Sequence, residues 1–150
     1  MDGMLSQNSI MVKNKISIKA RLILYNKGKI LLLKQTKPNG GNYSLVGGTV
    51  EFEEFAKEAL IRESYEEAGI VLKAKDLTLV HVLQKNKKSE QRLVLYFKAK
   101  KWNGDIKTRE PHKFIDAIWF PLDDLPKNIT PTVKQALMKS RKGILFSKLG

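Results

Sequence analysis

The chain has 150 residues, with 28 Lys and Arg against 15 Asp and Glu, a formal net charge of +13, 42% hydrophobic residues and no cysteine. That length suits one domain able to bury about two-thirds of its unfolded surface, and the apolar share argues against disorder. The lack of cysteine excludes disulfides and thiolate metal sites, and no run of 18 apolar residues offers a membrane span.

Taken in chain order, "MDGMLSQNSIMVKNK" has neither an apolar signal core nor a cleavage pattern, so a flexible tail is expected over 1–15 and a single domain over 16–150. A cytoplasmic location is the default expectation. "ISIKARLILY" (16–25) reads as a strand, "NKGK" (26–29) as a turn and "ILLLKQ" (30–35) as the returning strand of a hairpin. "TKPNGGN" (36–42) is a loop, "YSL" a short strand and "GGTVEFEE" a turn followed by a brief strand. A helix is predicted from about 54 or 55 to 68, stopped by Gly69. "LTLVHVL" (77–83) and "QRLVLYFKAKKW" (91–102) form an antiparallel pair separated by a polar loop, "QKNKKSE" (84–90). Residues 103–114 read as loop and "DAIWF" (116–120) as a strand. Thr130 and Pro131 open a last helix that Gly143 ends. The interleaving implies an α/β fold with a mixed sheet.

One segment runs against the overall charge. Residues 51–67 hold Glu51, Glu53, Glu54, Glu58, Glu63, Glu66 and Glu67 against Lys57 and Arg62. On the predicted helix Glu63, Glu66 and Glu67 fall within roughly one quadrant, where like charges at these spacings repel. A bound cation is the candidate that offsets this cost. The positive remainder of the chain suits phosphate-bearing ligands by steering, and equally describes a lysine-rich solvated surface.

From Gly48 the window reads "GTVEFEEFAKEALIRESYEEAGI". It resembles the signature of the Nudix (MutT-like) hydrolases, G-x5-E-x7-R-E-U-x-E-E-x-G-U, with U a bulky apolar residue. Gly48, Glu54, Arg62, Glu63, Glu66, Glu67, Gly69 and Ile70 are in register, and Ser64 is the one departure. "YSLVGG" resembles the stretch leading into that motif, with Val46 where proline is common. "REPHKFIDAIWFPLDDLP" resembles the downstream part of bacterial members, so the likeness runs from about 16 to 142.

The resemblance implies an α/β/α sandwich with a mixed central sheet. It also implies a Mg²⁺-dependent hydrolase, with Mn²⁺ as an alternative ion, that cleaves a diphosphate linkage in a nucleotide. The metal ligands it implies are Gly47, through its carbonyl, and Glu63, Glu66 and Glu67. Arg62 is expected to pair with Glu54 and tie the loop to the helix. The residue types suit the chemistry, because hard divalent ions take oxygen ligands and diphosphate cleavage gathers negative charge. The general base stays open between the motif and a later loop, where Glu110, Asp116 and His112 are candidates against a bland role as solvated loop residues. Arg21 and Lys34 are candidates for phosphate contact, against exposed strand cations. Tyr43 and Phe52 are candidates for base stacking, against packing. The loss of the apolar side chain at Ser64 is expected to leave a smaller pocket beneath the helix or to be filled by a neighbour such as Phe55.

A nucleoside triphosphate giving the monophosphate and pyrophosphate is the first expectation. The absence of proline between Gly69 and Pro111 lowers ADP-ribose. The alternative is an RNA-directed Nudix protein, either a 5′-end pyrophosphohydrolase or a non-catalytic nucleic-acid-binding module that uses the basic segments 84–90 and "KSRKGILFSK". A small nucleotide is the expected partner, with nucleic acid second, no membrane, and a monomer or homodimer.

Overall fold

The structure is a computed structural model that describes residues 15–150, so the tail expected over 1–15 lies outside the described residues except for Lys15. In chain order the strands are β1 (Lys15–Ile23), β2 (Tyr25–Asn26), β3 (Lys29–Gln35), β4 (Tyr43–Ser44) and β5 (Gly47–Thr49). The helix α1 (Ala56–Ala68) follows, then β6 (Leu77–Lys87), β7 (Glu90–Ala99) and β8 (Phe114–Pro121). The helix α2 (Pro131–Arg141) and β9 (Phe146–Leu149) close the chain.

The fold is α/β with a mixed sheet and two helices. Its strands divide between two sheets. One has the order β5-β1-β7-β6-β9, with β1–β7 and β6–β9 parallel and the other pairs antiparallel. The other joins β2, β3, β4 and β8, all antiparallel. Helix α1 covers one side through a core of Ala20, Leu22, Leu31, Leu33, Leu60 and Ala68. Helix α2 covers the other through Ile23, Ile30, Leu32, Tyr96, Val133 and Leu137. Successive residues of β1 and β3 therefore point into different cores, as the period of two in a strand requires.

The expected hairpin of 16–25 with 30–35 forms only at its tip. The chain leaves the first sheet at Leu24, and only Tyr25 and Asn26 pair with β3. The run Leu22-Ile23-Leu24 is apolar on both faces and buried throughout, which lets the backbone pass from one sheet to the other without exposing either side. The tip is a two-residue turn with Lys27 at φ 52° and Gly28 at φ 79°, the twist that matches a hairpin.

Two further expectations change. The loop expected over 84–90 is mostly strand, because β6 and β7 continue in register from Gln84↔Leu93 to Lys87↔Glu90 and turn at Lys88 and Ser89. The segment after α2 is not a free basic tail. Its residues Phe146–Leu149 pair parallel with Val82–Lys85. Buried His81 fastens this strand, with Nδ1 2.7 Å from the Ile144 carbonyl and Nε2 2.7 Å from Ser147 Oγ. Gln135 Nε2 donates to the same hydroxyl at 2.9 Å. The network closes when Nδ1–H donates to the carbonyl and the Ser147 hydroxyl donates to Nε2.

Candidate active site

Helix α1 sets the position of the acidic cluster. Phe55 stands at its N-terminus in extended conformation, and Gly69 closes it at φ 68°, a conformation suited to glycine. Ala59, Leu60, Ser64, Glu67 and Ala68 form its buried stripe, at successive spacings of one, four, three and one residues. Glu67 thus sits on the inner side of the helix, 4% exposed. Glu63 lies at the margin of that stripe, and Glu66 faces outward with half of its side chain exposed.

The three carboxylates share a quadrant of the helix, but their head groups do not converge. Among the described residues no group of three or more His, Asp or Glu side chains is gathered for a metal. Arg62 supplies the cation that offsets their repulsion. Its Nε and Nη2 meet Glu54 at 2.9 and 3.0 Å, and its Nη1 meets Glu63 at 2.8 Å and Glu66 at 3.4 Å. The Arg62–Glu54 pair joins the loop to the helix. Arg62 hydrogen bonding and the Glu51 backbone N–H hold the Glu54 carboxyl down at about 2, and hydrogen bonds to Glu54 and Glu63 push the Arg62 guanidinium further up.

Glu67 is held differently. Its Oε1 accepts from the Gly47 N–H at 2.8 Å inside the fold. Burial pushes its carboxyl up to about 7, against the opposing pull of that N–H and of Arg21, and Glu63 and Glu110 push the same way as burial. The two glycines of β5 make room for this arrangement. A Cβ at Gly47 would overlap the Ala20 carbonyl, and one at Gly48 would lie 2.5 Å from the Glu63 carboxyl carbon.

Glu63, Glu67, Gly47, Gly48 and Arg21 line one cavity of about 650 Å³ between the first sheet and the start of α2. The donor set fits a hard divalent cation. It consists only of oxygens, and Glu63 Oε2 and Glu67 Oε2 have no hydrogen-bond partner among the described residues. Gly48 supplies the complementary space, since any side chain there would occupy the position beside Glu63. Two cavity carboxylates suit Mg²⁺, which keeps several of its waters.

The other candidates separate. Arg21, on β1 opposite Gly47, faces the cavity, where burial pulls its guanidinium down and Glu67 opposes that shift most. Lys34 does not line the cavity. Its Nζ donates to the Gly41 carbonyl at 2.8 Å and lies 4.6 Å from the centre of the Tyr43 ring. Tyr43 packs edge-on against Phe120, 5.0 Å between centroids, and also lies outside the cavity lining. Phe52 and Phe55 are 94% and 77% exposed, so Phe55 does not fill the space beneath Ser64. Ser64 itself is fully buried and its Oγ is unpartnered.

Glu110 is half-buried, with Oε1 enclosed and unpartnered and Oε2 3.9 Å from Lys113 Nζ, close enough to Glu67 to act on its charge. His112 is exposed, and its carbonyl accepts from Thr36 Oγ1 and Asn39 Nδ2. Asp116 is exposed and accepts from the Ala117 N–H. Sequence reasoning missed Lys19, Lys85, Arg92 and Lys113, which line the same cavity. The signal available was the alternation in "ISIKAR" (16–21), which puts Lys19 on the same strand face as Arg21.

Comparison with known proteins places these features. The NUDIX domain matches residues 16–139. The chain is 34% identical over 97 residues to the NAD-capped RNA hydrolase NudC of Escherichia coli O9:H4 (strain HS), a stretch covering 65% of this chain and 36% of that protein. It therefore spans about a third of that relative's length. The structure superposes on the MutT NUDIX hydrolase from Burkholderia pseudomallei with TM-score 0.75 and 30% identity, covering 82% of this chain and 96% of that one. It shares its fold with the MutT protein from Methanosarcina mazei Go1 at TM-score 0.74 and 20% identity, covering 87% and 96%.

Proposed function

The chain belongs to the Nudix family, and on that premise we propose that it is a hydrolase of phosphorus-containing anhydrides that cleaves a diphosphate linkage in a nucleotide with the help of Mg²⁺. The observation that carries this is the pairing of Glu63 and Glu67 beside Gly47 and Gly48 on one wall of the cavity. Glu63, Glu67 and the Gly47 carbonyl are the proposed ligands, with Glu66 joining from the rim. When bound, the ion neutralises charge on the phosphate oxygens and orients the attacked phosphorus. Arg62 holds Glu63 and Glu66 in place. Arg21 faces the phosphate chain from β1. Glu110, which acts on the Glu67 charge from just outside the cavity lining, is the proposed proton acceptor for the attacking water. Water adds to one phosphorus, the bond from that phosphorus to the bridging oxygen breaks, and the departing phosphate leaves with that oxygen.

The first substrate proposed is a nucleoside triphosphate, giving the monophosphate and pyrophosphate. The second reading is an RNA 5′ end. Lys19, Arg21, Lys85, Arg92 and Lys113 in one cavity favour it, and the similar Escherichia coli protein is named for NAD-capped RNA. A cytoplasmic protein acting as a monomer or homodimer fits either substrate. A panel of nucleotides and 5′-triphosphorylated RNA with Mg²⁺, with products weighed by mass after reaction in ¹⁸O-water, separates these readings and identifies the phosphorus attacked. No turnover of any of them would refute the proposal.

A further inference from the structure

The cavity extends along the sheet well beyond the carboxylates. Residues 17, 19 and 21 of β1 share a face, as do 92, 94 and 96 of β7 and 83 and 85 of β6. Arg21 stands level with Gly47, whereas Ser17 pairs with Arg92 and Arg92 pairs with Lys85. Four residues of strand separate these two levels, about 13 Å at the rise of a β-strand. Lys19 lies midway, and Lys19, Lys85 and Arg92 all line the cavity.

These cations have little to neutralise them. Lys19 Nζ donates to Thr49 Oγ1 at 2.7 Å, and Lys85 makes no side-chain hydrogen bond among the described residues. Arg92 Nη2 meets Glu90 at 3.1 and 3.4 Å, while its Nε is enclosed and unpartnered. Burial and the neighbouring Arg21 and Arg92 pull the Lys19 ammonium down, and burial with Lys87 and Arg92 does the same to Lys85. An independent feature faces them. Thr130, Pro131, Thr132 and Val133, at the start of α2, line the same cavity, and Thr130 makes no side-chain cap. The N-terminus of an eleven-residue helix thus borders the same cavity as the cation row, with Pro131 contributing no N–H.

We propose that Lys19, Lys85 and Arg92, facing the start of α2, form a second anion subsite that takes a phosphate group of the substrate remote from the scissile linkage. This rests on the preceding reading that the cavity binds a nucleotide. The Gly47 level and the Lys85–Arg92 row lie about 13 Å apart along the strand, farther than the two phosphorus atoms of a diphosphate joined through one oxygen. On this proposal the substrate carries a further phosphate on the far side of its sugar, which favours the RNA-end reading over a plain nucleoside triphosphate. That phosphate is either a terminal monoester or the first internucleotide diester of an RNA end.

Calorimetric titration with Mg²⁺ tests this by comparing adenosine 5′-monophosphate, adenosine 3′,5′-bisphosphate and the 5′-phosphorylated dinucleotide pApA. The second phosphate is expected to tighten binding at least about tenfold, the factor of one charge-assisted hydrogen bond. A gain with the bisphosphate alone assigns the monoester, and a gain with pApA assigns the diester. Lys85→Gln should remove most of the gain and Lys85→Arg should keep it. Lys85→Gln should also flatten the salt dependence of the bisphosphate by about one charge. Equal affinity for all three ligands overturns the subsite, as does a gain undiminished in both Lys85→Gln and Lys19→Gln. Turnover is read separately. A bisphosphate gain without hydrolysis of any nucleotide would remove the proposed reaction and leave the subsite.

Discussion

At one end of the cavity Arg62 touches Glu54, Glu63 and Glu66; at the other Lys19, Lys85 and Arg92 share one carboxylate, Glu90, between them. Each end sets three like charges against one opposite charge. The acidic end gathers its carboxylates around one arginine on and beside a single helix, whereas the basic end is assembled from three strands. The excess at the acidic end is relieved by a cation, and the excess at the basic end by an anion. The two ends thus favour opposite ligands.

The largest test of this contrast is Glu67→Gln, which keeps the size of the side chain and removes its charge. Turnover should fall by at least ~10²-fold, with an unchanged circular dichroism spectrum. Comparable turnover at saturating Mg²⁺ would remove Glu67 from the reaction.

A second test uses the pH dependence of stability without metal. The Glu67 carboxyl is raised to about 7 in the fold from an unfolded value near 4.5. Its contribution is therefore present below about pH 4.5 and lost as pH rises through about 7, amounting to about 3 kcal/mol. Glu54 has the opposite sign. Held at about 2, it supports the fold above about pH 4.5 and loses that support as pH falls toward 2. Denaturant midpoints should decline between pH 5 and 8 without Mg²⁺, and Glu67→Gln should flatten that decline. Millimolar Mg²⁺, which binds the ionised carboxylate, should also oppose it. A flat wild-type profile would show that Glu67 is ionised without cost.

Arg62→Ala should lower the melting temperature more without Mg²⁺ than with it, because the metal then takes over the counter-charge. An equal drop in both conditions would break the contrast between the two ends. The smallest effect expected is at Ser64, whose enclosed hydroxyl has no partner. Ser64→Ala should raise stability by about 1 kcal/mol in a denaturant melt.

The acidic end was legible in the sequence because its parts are local. Gly48, Glu54, Arg62, Glu63, Glu66 and Glu67 lie within twenty residues, and helix geometry relates them directly. Which carboxylates beyond Glu54 Arg62 meets could not be read from the sequence, since rotamers decide that. Of the basic end, Lys85 was read as loop because "QKNKKSE" is polar, while Lys19 and Arg92 were placed on strands but not in a cavity. Polarity marks a loop only when the polar residues face solvent. Here Lys85 and Arg92 face the cavity from regular strands, near the turn that joins them. The strand β9 escaped notice for a related reason, since its pairing is with residues sixty positions earlier. Lys34 and Tyr43 were placed near the cleft by strand proximity, but β3 belongs to the second sheet and they engage each other.

The short strand β9 has one more consequence. It is four residues long, carries Lys148, and covers Val82–Lys85 of an eleven-residue strand. Stripped of it, β6 would present a row of free amides and carbonyls to any other chain in solution. The His81 and Ser147 bonds therefore act as a latch against self-association, and a loosened latch would show itself as concentration-dependent precipitation with the active site still intact.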